Sequence, residues 1–116
     1  MTRLPSITLP APLALGVVLG LVDRIDQTHP PMVGQRLRVI QERGGERFSP
    51  GLHRIQREAA RRGQALISMV PVDLFFREGP VGTVRVAGAA RAGLHRWVWL
   101  LDQPCLAGAG GAEEAA

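Results

Sequence analysis

Apolar positions along this chain change their period once, at Gly63. Before it they recur every three or four residues, as on one face of a helix; after it they cluster in runs rich in branched and aromatic residues. Leu15, Val18, Leu19, Val22 and Ile25 predict a first helix over 13–28. Gly16 and Gly20 weaken it by about 1 kcal/mol each relative to Ala, unless another element has to approach closely there. His29-Pro30-Pro31 ends the helix, because a residue preceding proline is driven out of the α region. A second helix begins at Pro31, where a missing N–H is no loss, and carries Val33, Leu37 and Ile40 to a stop at Gly44-Gly45. A third opens with Ser49 as N-cap and Pro50 at its first position, runs to about Arg62 and presents Leu52, Ile55 and Ala59 on one face.

Beyond Gly63, residues 65–77 (ALISMVPVDLFFR) predict a strand interrupted near Pro71. Glu78-Gly79-Pro80 is a turn, 81–87 the returning strand of a hairpin, 88–93 a second turn or irregular loop, and 94–101 a third strand. Trp97 and Trp99 alternate on that third strand, on the same face as His95, which predicts aromatic anchors in the core rather than an exposed stacking patch. The layout is a Pro-punctuated arm over 1–12, one small α+β domain over 13–106 and a disordered low-complexity tail over 107–116. The expected fold class is α+β, with three N-terminal helices followed by a β-hairpin or three-stranded meander.

Composition narrows this picture. Hydrophobic residues make up 46% of the chain, enough for a packed core, and aromatics only 4%, so that core is aliphatic. All 14 basic residues are Arg, with no Lys, Asn or Tyr, which points to a GC-rich coding sequence. Arg abundance alone is therefore no argument for phosphate binding; the placement of the Arg residues is. A single cysteine forms no intrachain disulfide, and a reducing, cytoplasmic setting is the expectation. Residues 4–22 are uncharged and follow Arg3, like the start of a signal or anchor. Pro5, Pro10 and Pro12 interrupt them, and the unbroken stretch Ala11 to Val22 is short of the ~20 residues a spanning helix needs, so a buried helix is the preferred reading.

Little in the chain favours catalysis. His29, His53, His95 and Cys105 lack metal-site spacing. Cys105 has no activating base beside it, no Ser sits in a nucleophile elbow, and Asp23 and Asp26 flank Arg24 as ordinary surface charges. Gly108, Gly110 and Gly111 precede no helix, so they form no phosphate loop. No enzyme activity, metal, cofactor or small-molecule substrate is inferred.

Charge placement is the better lead. Residues 31–63 carry eight Arg against three Glu, whereas 1–30 are balanced. On the third predicted helix Arg54, Arg57 and Arg61 fall together, opposite Ile55 and Ala59. From 31 to 87 the order of helix, Gly-containing turn, capped helix and hairpin resembles a winged helix, a helix-turn-helix variant whose recognition helix enters the DNA major groove. The resemblance is one of element order and carries no diagnostic motif. It implies nucleic-acid contacts by Arg54, Arg57 and Arg61, with His53 and Gln56 as neighbours, and phosphate contacts by Arg36, Arg38, Arg62 and Arg85. A homodimer through residues 13–28 completes this reading. The alternatives are a structural or adaptor subunit that docks through its apolar N-terminal segment, and a membrane-associated protein held by residues 4–22.

Overall fold

In the computed structural model, which describes residues 4–107, most of the chain serves one five-stranded sheet. Its strands are β1 (Ser6–Pro10), β2 (Arg24–Gln27), β3 (Arg36–Glu42), β4 (Gly79–Gly93) and β5 (Arg96–Leu106). They lie in the order β1-β3-β4-β5-β2; β1 is parallel to β3 and all other neighbours are antiparallel. The sheet curls into a half-barrel. The helices are α1 (Leu13–Val18), α2 (Phe48–Arg61) and the single turn α3 (Leu66–Met69), with 3-10 turns at Gly45–Arg47 and Val72–Phe75.

The fold is therefore not three helices followed by a wing, and the winged-helix and helix-turn-helix expectations are overturned. Only the third predicted helix exists at length. The predicted second helix is strand β3. Its Leu37, Val39 and Gln41 point inward and are at most 5% exposed, whereas Val33 is 61% exposed and Ile40 half-buried. A polar residue at the third inward position broke the period-two signal, and Val33 and Ile40 completed a false helical one. The predicted first helix ends after Val18. Gly20 turns the chain at φ +80, Leu21 and Val22 are buried in the turn, and Ile25 enters the core from β2. Apolar spacing thus ran through a helix, a turn and a strand.

Two further expectations fail. The predicted strand over 65–77 is α3 plus a 3-10 turn, whose Leu66, Val70 and Phe75 are buried without alternation. Gln41 fixes this segment: its buried carboxamide Nε2 donates to the carbonyls of Leu74 and Arg77, each at 2.8 Å. The predicted loop over 88–93 is the continuation of β4, which pairs with β5 through Gly93. Ala and Gly have little strand preference of their own, and the long antiparallel partner overrides it. The α2 start also differs. Ser49 and Pro50 lie inside the first turn, Arg47 is the N-cap residue, and no side chain caps the helix.

The core has three layers. The inner sheet face supplies Leu37, Val39, Val84, Val86, Trp99 and Leu101. On it lies α1, whose Ala14, Leu15, Val17 and Val18 are at most 2% exposed because α1 touches both the sheet and α2. Burial of side chains the size of Leu15 contributes roughly 1.5–3 kcal/mol each. Ile55 and Ala59 bring α2 onto α1 at Gly16, where a Cβ would sit 2.5 Å from Ile55 Cγ2. Gly16 is thus a site of close helix approach. Gly44 is a site of close backbone approach, where a Cβ would run into the Ala11 carbonyl oxygen. Trp99 and Trp97 do pack in or against the core; the Trp99 indole donates to the His29 carbonyl at 2.8 Å and meets the His29 ring edge-on. His95 instead stands exposed in the turn between β4 and β5. The predicted disordered tail, from 108 onward, lies outside the described residues.

Candidate functional site

Nine residues carried the nucleic-acid expectation, and the fold divides them. Arg54, Arg57, Arg61, Arg62, His53 and Gln56 are on or next to α2 and exposed. Arg36, Arg38 and Arg85 are half-buried on β3 and β4, on the sheet face turned away from Leu37, Val39 and Val84. Because α1 separates the sheet from α2, the two sets occupy opposite sides of the molecule. They do not form one continuous contact surface.

Two of the sheet set, Arg36 and Arg85, are engaged internally; Arg38 has no side-chain partner among the described residues. Arg36 stands directly opposite Arg85, a like-charge cross-strand pair that would repel on its own. Asp102 lies opposite Arg85 on its other side and takes its Nη2 at 2.6 Å. Arg36 is drawn the other way. Its Nη1 donates to Thr83 Oγ1 at 2.7 Å, and its Nη2 donates to Gln103 Oε1 and the Gln103 carbonyl at 3.1 and 3.2 Å. Gln103 sits at a β5 irregularity with φ 49, a left-handed conformation that non-glycine residues hold only with support. Arg36 supplies that support. These guanidiniums hold the outer face of the sheet together.

The helix set is different. At about 100° per residue, Arg54, Arg57 and Arg61 form one stripe opposite Ile55 and Ala59, and Arg47 extends it by one turn toward the helix start. Among the described residues Arg54 and Arg57 have no acidic partner, while Arg61 and Arg62 share Glu58 at 3.3 Å. Arg62 also donates to the Gly20 carbonyl at 2.9 Å, which ties the end of α2 to the turn after α1. Gln56 falls on the other flank of the helix from Arg54, about 200° away, and does not join the stripe.

Arg47 and Arg54 also border a cleft of about 600 Å³, which sequence reasoning missed. The two edge strands of the sheet meet it: Thr8–Pro10 of β1 and Arg24–Gln27 of β2. Its charged lining is Arg24, Arg47 and Arg54 against Asp26 and Glu42, so cations are in slight excess. No sequence signal could have found this cleft, because β1 and β2 become neighbours only when the sheet curls. The groove is continuous with the Arg stripe through Arg47 and Arg54.

Residues 13–28, expected to dimerise, place their apolar side chains in the chain's own core and leave chiefly the polar strand β2 at the surface. No helix among the described residues is long and apolar enough to cross a membrane, and among them no cluster of His, Cys, Asp and Glu could hold a metal ion. Cys105 is a half-buried thiol on β5. Compared with known proteins, the chain matches no protein-family model and no curated sequence.

Proposed function

We propose that this chain is a non-enzymatic nucleic-acid-binding protein that contacts phosphates through the Arg stripe of α2. The observation that supports this most is the contrast in pairing. Arg54 and Arg57 are exposed and free of acids among the described residues, while Arg36 and Arg85 are engaged within the sheet. Residues 43–62 carry six Arg against two Glu, an excess equal to the formal net charge of +4 for the whole chain. A guanidinium presents a planar fork of donors that suits phosphate oxygens. Contacts of this kind set orientation and affinity without reading sequence. Arg47, Arg54, Arg57 and Arg61 would each neutralise a phosphate, and the cleft beside Arg47 and Arg54 would let the backbone continue past the helix end.

The test is fluorescence anisotropy of labelled oligonucleotides titrated with the full chain from low to moderate salt. Four phosphate contacts predict a log–log salt slope of about −3.6 on duplex and about −2.8 on single strands. Arg54→Ala/Arg57→Ala removes about half of that slope. Absence of salt-dependent binding at the lowest salt overturns the proposal.

A further inference from the structure

All three phenylalanines of the chain, Phe48, Phe75 and Phe76, line one hollow of about 360 Å³ beside the start of α2. The core accounts for Phe75 and Phe48 but not for Phe76. Phe75 is the buried anchor, 8% exposed. Phe76 is 66% exposed and stacks on Phe48, with ring centroids 5.1 Å apart and planes within 13°. The backbone that carries Phe76 is anchored on both sides. Gln41 Nε2 donates to the carbonyls of Leu74 and Arg77, on either side of the Phe75-Phe76 pair. A large ring fixed in solvent by a buried hydrogen-bonded clamp is a preorganised surface for another flat group.

The rest of the lining supports a particular flat group. Arg43 supplies guanidinium donors and Glu78 a carboxylate acceptor, and the wall is open at Gly45, where a Cβ would meet nothing within 4 Å. The edge of a nucleobase carries both acceptors and donors, often with an exocyclic amine beside a ring nitrogen or carbonyl. Arg47, four residues from Arg43, begins the Arg stripe. Phe48 falls on the opposite flank of α2 from that stripe, so a polyanion reaches the hollow only by turning around the helix start, past Arg47 and Arg43.

We infer that this hollow stacks an unpaired base of a single-stranded nucleic acid against Phe76, with Arg43 and Glu78 at the base edge. The inference rests on the nucleic-acid reading of α2 and narrows it: bases in a duplex are already stacked and cannot reach a side pocket, whereas single strands are bound by aromatic platforms beside basic tracks. The occupant is favoured over an apolar protein side chain because Arg43 in the hollow and Arg47 at the helix start lead from it to the basic stripe, and both of its polar side chains are charged.

The experiment compares a mixed-sequence labelled single strand with its own duplex, at matched low salt, for the parent chain, Phe76→Ala, Phe76→Leu and Phe76→Trp. The parent is expected to bind the single strand more tightly. Phe76→Ala should weaken single-strand binding roughly tenfold, leave duplex binding alone and keep the salt slope. Phe76→Leu should behave as Phe76→Ala, since it has bulk but no ring, and Phe76→Trp should bind at least as well as the parent. Circular dichroism and thermal melts confirm that the variants are folded. If Phe76→Leu binds like the parent, or if Phe76→Ala leaves single-strand binding unchanged, the stacking site is overturned while salt-dependent binding through α2 still stands. If the parent binds neither oligonucleotide, both proposals fail together.

Discussion

Two groups of arginines in this chain are chemically identical and physically opposite. On the sheet, Arg36 and Arg85 face one another across β3 and β4, and each is drawn to a nearby acceptor: Thr83 and Gln103 for one, Asp102 for the other. On α2, Arg54 and Arg57 project from a helix whose other side is buried through Ile55 and Ala59, and no carboxylate among the described residues meets them. The difference follows from geometry. In a sheet, each residue has fixed neighbours on adjacent strands, so charges find partners across the ladder. On a helix, the neighbours are three and four positions away on the same chain, and here Glu58 reaches only Arg61 and Arg62. The count of arginines does not separate the two groups; their pairing with carboxylates and other acceptors does.

The comparison can be broken at its foundation first. Ile55→Ala removes a fully buried side chain from the contact between α2 and α1 and should cost about 2–5 kcal/mol, read by urea denaturation. A cost below about 1 kcal/mol would mean that α2 does not seat on Gly16. Next comes the sheet group. Asp102→Ala leaves Arg85 facing Arg36 with no counter-charge and should cost about 1–2 kcal/mol, limited because both partners are about one-third exposed, at 33% and 38%. Oligonucleotide affinity of that variant should not fall; a loss comparable to that of Arg54→Ala/Arg57→Ala would place the ligand on the sheet instead. The helix group should show the converse. Arg54→Ala/Arg57→Ala should shift stability by no more than about 0.5 kcal/mol yet reduce the salt slope by about 1.5–2. Smallest of all, Arg61→Ala should change the slope by less than about 1, because Glu58 already competes for its guanidinium. A slope change as large as that of the double variant would show that the Glu58 pair opens on binding.

Part of this was legible from the residues. The α2 face, with Leu52, Ile55 and Ala59 against Arg54, Arg57 and Arg61, is an uninterrupted helical pattern, and the helix formed where that pattern lies. Arg47, at the helix start, falls in a predicted connection and Arg43, at the hollow, on the last residue of the predicted second helix, so neither pattern joined them to the third helix. The stacked pair Phe48 and Phe76 is separated by most of α2 and the whole of α3, so no local spacing could relate them. β3 was misread because Gln41 occupies an inward position, and its reason for being there is the distant carbonyls of Leu74 and Arg77.

By itself the sequence determined an aliphatic core, one amphipathic helix with a basic face, the end of that helix at Gly63 and an anchoring role for Trp99, because each depends on neighbours within a few residues or on composition alone. Only the tertiary structure decided the rest: that residues 36–42 are a strand, that β1 and β2 meet at one cleft, that Arg36 and Arg85 are engaged while Arg54 and Arg57 are free of acids among the described residues, and that three phenylalanines converge. The physical reason is common to all four. Strand pairing, cross-strand charge compensation and cavity walls are made between residues far apart in the chain, and their energies exceed the local preferences that sequence periodicity reports.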